Sequence, residues 1–135
     1  MEKLDRQHLS TEPELLSKYF EIVSYPVRYT SHCQPGPYPL IGGKEEGETA
    51  RISTYDFDIN DGNQYYTISL TTGGFINKQT ENFSCSRDAN PLIKIKNLDD
   101  KFNLPLIRLQ LNKMFDWNEK ITKENFKNIK VYLYH

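Results

Sequence analysis

Two runs of alternating apolar and polar residues, set on either side of Asn60-Asp61-Gly62-Asn63, constrain this chain more than any other feature. Over residues 52–59, Tyr55, Phe57 and Ile59 share one face, with Thr54, Asp56 and Asp58 on the other. Over residues 64–71, Tyr66, Ile68 and Leu70 face inward and Tyr65, Thr67 and Ser69 outward. Period two marks a half-buried strand, and Asn, Asp and Gly tolerate the backbone of a tight turn. The pattern predicts a hairpin, and a chain built round one is not an all-helical bundle. Composition agrees: the only alanines are Ala50 and Ala89, against nine Tyr and seven Phe, so the best helix former is scarce and strand formers are common.

One helix is expected at the amino terminus. Thr11 and Glu14 have capping-box spacing, Pro13 sits in the first turn, and Leu15, Leu16, Tyr19, Phe20 and Val23 form one apolar stripe ended by Tyr25-Pro26. A short strand over 27–32 follows. The stretch 32–48, rich in proline and glycine, reads as a long loop, mobile near 33–48. Residues 75–91 are polar with little periodicity, and 92–96 alternate again. Residues 104–117 fit either a strand or a helix face, with the strand preferred; 122–128 suit a short helix, and 129–134 a final strand with Ile129, Val131 and Leu133 inward. Leu, Ile, Val and Phe make up about a quarter of the 135 residues, one core's worth, and domains run to roughly 100–200 residues. The expected architecture is a single α+β domain over 1–135, with the N-terminal helix packed on a mainly antiparallel sheet of four to six strands.

The formal charge of −1 hides a polarity: residues 1–70 carry 6 basic and 11 acidic side chains, and residues 71–135 carry 11 and 7. Such near-neutrality argues against a general nucleic-acid packager, whose affinity comes from many cation–phosphate contacts. No apolar run approaches the roughly 18 residues of a membrane span, and the charged amino terminus lacks a secretory leader's apolar stretch. The expectation is a cytoplasmic protein with no membrane partner. Its two cysteines, Cys33 and Cys85, are too few for a disulfide scaffold.

Catalytic and metal constellations are weak. In residues 56–67 the glycine falls one place late for a calcium-binding loop, and Thr67 stands where the bidentate glutamate belongs. His32 and Cys33 are adjacent and would point to opposite faces of a strand, so no metal or cofactor is expected. Cys85, with Arg87 nearby, and His32 form the least unfavourable nucleophile and base pair, but a lone cysteine is more often a small buried hydrophobe. Whether the chain is an enzyme stays open, with binding preferred.

The leading expectation is a protein-binding module that acts by occluding a partner's surface, as an inhibitor, immunity-type or anti-defence factor does. Its carboxylates Glu45, Glu46, Glu48, Asp56, Asp58 and Asp61 would enter a basic cleft on another protein, with Tyr65 adding buried area. An alternative is a single-stranded nucleic-acid or nucleotide binder, with Lys94, Lys96 and Lys130 beneath bases stacked on Tyr132 and Tyr134. A further alternative is a small enzyme whose site is assembled only by the fold.

Overall fold

The computed structural model describes residues 12–69, 74–95, 104–115 and 121–133. The order of elements is β1 (Glu14–Leu15), β2 (Phe20–Ile22), β3 (Pro35–Ile41), β4 (Glu48–Ile52), β5 (Tyr65–Ser69), β6 (Ile76–Lys78), β7 (Ser84–Cys85), β8 (Ala89–Lys94), α1 (Leu104–Met114), α2 (Lys123–Phe126) and β9 (Lys130–Val131). An antiparallel sheet has the order β2-β8-β5-β6, a second sheet β4-β3-β7, and β1 pairs with β9. In the second sheet β3 runs antiparallel to β4 and parallel to β7.

The fold is mostly sheet, which corrects the expected N-terminal helix. Residues 14–22 form β1, a single 3-10 turn over Leu16–Lys18, and β2. The stripe read as helical also satisfies period two, with Phe20 buried, Glu21 exposed and Ile22 half-buried. Tyr, Phe, Ile and Val have little helix preference to lose, and pairing Phe20 with Lys94 and Ile22 with Leu92 decides the outcome.

The predicted hairpin does not form either. β4 pairs with β3, β5 pairs with β8 and β6, and residues 53–64 between them hold an isolated bridge from Phe57 to Phe83. Local bonds compete with the ladder there: Asp58 accepts from the Asn60 N–H and Asp61 from the Asn63 N–H, each at 2.9 Å. Gly62 takes a positive φ of 96°. All five residues of β5 are buried, so alternation could not assign its faces, and Tyr65, expected outward, is 5% exposed.

The stretch expected as one long loop contains β3, whose close approach to β4 depends on Gly36: a Cβ there would lie 2.3 Å from the Ser53 Cα. Residues 104–114 form α1 instead of a strand, burying Leu106, Ile107 and Leu111 while leaving Leu109 exposed. Residues 75–91 contain β6, β7 and the start of β8, with Ser84 and Asn90 buried. The C-terminal expectations agree better. α2 is capped by Thr122, whose hydroxyl accepts from the Asn125 N–H, and Ile129, Val131 and Leu133 are buried while Lys130 and Tyr132 are exposed.

Two apolar clusters hold these elements. The larger joins Phe20, Ile68 and Leu92 of the four-stranded sheet to Ile107 and Leu111 of α1 and Phe126 of α2. The smaller gathers Ile41, Phe57, Tyr65, Phe83, Cys85 and Ala89, with the Phe57 and Phe83 rings stacked at 5.1 Å between centroids. No helix among the described residues is long and apolar enough to cross a membrane.

Candidate functional site

The segment 23–32 carries little regular structure of its own and is tied along β7 and β8. The Val23 N–H donates to the Pro91 carbonyl, the Arg28 N–H to the Cys85 carbonyl and the Tyr25 hydroxyl to the Ser86 carbonyl, each at 3.0 Å. Burial pushes the Tyr25 hydroxyl up to about 12, so it stays a donor at neutral pH. These bonds carry the Arg28 side chain toward residues 53–64, where its Nε and Nη2 donate to the two Asp56 carboxylate oxygens at 2.9 and 2.6 Å. The guanidinium holds the Asp56 carboxyl below the usual carboxylate range, and Ser84 supports it through the Asp56 N–H, which donates to the Ser84 Oγ at 3.0 Å.

The turn from β7 to β8 faces this segment. It is braced by the Ser86 N–H on the Ile41 carbonyl at 2.9 Å and the Asp88 N–H on the Ser86 Oγ at 3.3 Å. A groove of about 400 Å³ lies between, lined by Arg28, Tyr29, Thr30, Thr49, Ser86, Arg87 and Asp88. Tyr29 is 47% exposed and meets His32 edge to face at 5.7 Å. Arg87 has a side chain 75% exposed, and its Nε is 4.0 Å from an Asp88 carboxylate oxygen. The groove therefore combines a fixed arginine, a solvated one, hydroxyls, a carboxylate and an aromatic rim. A larger groove of about 510 Å³ is lined by Phe20, Ile22, Ile95 and Phe126 together with Ser17, Glu21, Glu124 and Lys127.

The six acidic residues expected to meet a partner are not equivalent. Asp56 belongs to Arg28, Glu48 pairs with Arg51 at 2.9 Å, and Asp61 accepts from the Tyr65 hydroxyl, which holds its carboxyl low. Glu45 and Glu46 lie exposed in the turn between β3 and β4, with the Glu45 carbonyl accepting from Asn77 and Arg108, and Asp58 is exposed as well. Of the basic and aromatic strip, Lys94 stands in β8 of the four-stranded sheet, whereas Lys130 stands in β9, followed by an exposed Tyr132. Lys96 and Tyr134 lie outside the described residues.

Cys85 is fully buried, and its thiol is pushed well up by burial, with Asp56 adding to the shift. That environment keeps it protonated, the reverse of an activated nucleophile. Among the described residues no group of three or more His, Cys, Asp or Glu is placed to hold a metal ion. The sequence reading missed Arg28, Tyr29 and the hydroxyls of the groove; an Arg-Tyr-Thr run after Pro26 and the Ser-Arg-Asp triplet were its visible signals.

No protein family and no curated protein matches the sequence. A solved structure, that of the HsdS subunit from Thermoanaerobacter tengcongensis, resembles it with a TM-score of 0.59 at 16% identity. The resemblance covers 97% of this chain and 34% of that one, so the chain spans about one third of its structural relative. At this identity the likeness is one of fold.

Proposed function

We propose that the chain is a nucleic-acid-recognition module whose binding face is the groove between residues 28–30 and 86–88. The observation that carries this reading is the groove's chemistry: a solvated arginine, a second arginine locked by Asp56, three hydroxyls and an exposed tyrosine on one face. Arginine and hydroxyl donors recognise phosphates and base edges, and an exposed aromatic ring offers a stacking platform. The likeness to the HsdS subunit is one of fold, and the reading rests on the groove itself.

The competing reading, occlusion of a basic cleft on a protein partner, keeps Glu45 and Glu46 as exposed carboxylates, with Asp58 exposed but accepting from the Asn60 N–H. Glu48, Asp56 and Asp61 already hold partners within the chain. Electrostatic complementarity requires charges free to be shared, which leaves that reading only part of its acidic surface. The test is titration of a fluorescently labelled mixed-sequence duplex at low salt, read by anisotropy. Saturable binding that unlabelled duplex competes away is expected. Absence of binding, together with capture of a stoichiometric protein partner that is lost on charge reversal at Glu45, Glu46 and Asp58, would overturn it.

A further inference from the structure

Charge balance and geometry within the groove go one step further and bear on what part of a nucleic acid it reads. A clamp for backbone phosphate needs cations that nothing else neutralises. Here Arg28 is bidentate to Asp56, and Arg87 has Asp88 beside it, so the four charges cancel and a phosphate would be seated near a carboxylate. A base edge is neutral and presents acceptors and donors side by side, which is what such a groove complements. At 4.0 Å the Arg87 and Asp88 heads are too far apart for a hydrogen bond, and their side chains are 75% and 50% exposed, so both remain solvated and available. The turn beneath them is rigid: Ser86 is bonded to Ile41 and Tyr25, and Asp88 N–H to Ser86 Oγ. The turn fixes the backbone from which a guanidinium fork and a carboxylate extend on successive residues, side by side for two adjacent groups of opposite polarity.

We propose that Arg87 and Asp88 form a base-reading element for a G·C pair, Arg87 donating to O6 and N7 of guanine and Asp88 accepting from N4 of the paired cytosine. Arg28, fixed by Asp56, forms part of the wall of the same groove. The inference rests on the nucleic-acid reading above, and its test separates the two. The whole chain is used to select from a duplex pool randomised at its centre, in parallel with R87A, R87K and D88A. Each variant is checked for native circular dichroism, which substitution at these exposed positions leaves intact.

The wild type is expected to enrich guanine at one or more positions. R87A is expected to lose roughly 10- to 100-fold in affinity for the enriched duplex. R87K, which keeps the charge and loses the fork, should retain binding to the unselected pool but not the guanine preference. D88A should relax the cytosine partner at the same position. A preference that survives in R87K, or binding with no sequence preference, overturns this inference and leaves the nucleic-acid reading standing. Failure of every duplex to bind overturns both.

Discussion

Asp56 is the residue on which the site's geometry turns, because it fixes Arg28 by two hydrogen bonds and itself rests on Ser84. Its carboxyl titrates below the ordinary range, so its stabilisation is complete above the unfolded value and disappears as pH falls through the folded one. Asp56→Asn should therefore cost about 1–3 kcal/mol near neutral pH, and the gap to wild type should close in acid. Urea unfolding at both pH values measures this; a gap that persists or widens in acid would contradict the assignment. The cysteines give a second check. Iodoacetamide followed by peptide mapping should label half-buried Cys33 in the native protein and Cys85 only after unfolding, since burial keeps the Cys85 thiol protonated and out of reach. Labelling of native Cys85 would reopen the nucleophile reading.

Among the elements, the β3–β4 hairpin brings Thr49 to the groove and has no room for a side chain at Gly36. Gly36→Ala must push the strands apart at the Ser53 backbone and is expected to cost about 1–3 kcal/mol in urea unfolding, where a neutral effect would show that the strands tolerate separation. This hairpin was the least legible part of the sequence, since Pro35, Pro37 and Pro39 read as loop residues although β3 holds them. The sequence around Asn60 misled in the opposite sense: its alternation is real, yet Asp58 and Asp61 spend their carboxylates on neighbouring amides, and β5 finds β8 and β6 as partners. Where one face alone is buried, as over residues 129–133, period two gave the correct faces. Where both are buried, as in β5, it could not. The residues of 104–114 satisfied both periods, and Leu, Gln, Lys and Met have enough helix preference that the face carrying Ile107 and Leu111 settled on the core.

At the scale of the molecule, the division of charge along the chain survives folding only in part. Arg51 joins the halves through Glu81, while Lys18–Glu14, Arg28–Asp56 and Arg51–Glu48 close within the acidic half. The groove takes Arg28, Tyr29, Thr30 and Thr49 from the first half and Ser86, Arg87 and Asp88 from the second, so neither the acidic group nor the lysine-rich half alone pointed to it. That convergence depends on long-range pairing, which no local spacing encodes. The most direct test of the account is an amide NMR titration of the whole chain with a short duplex. Shifts are predicted at residues 28–32, Thr49 and 86–88. Shifts centred instead on Glu45, Glu46 and Asp58, or none at saturating duplex, would contradict it.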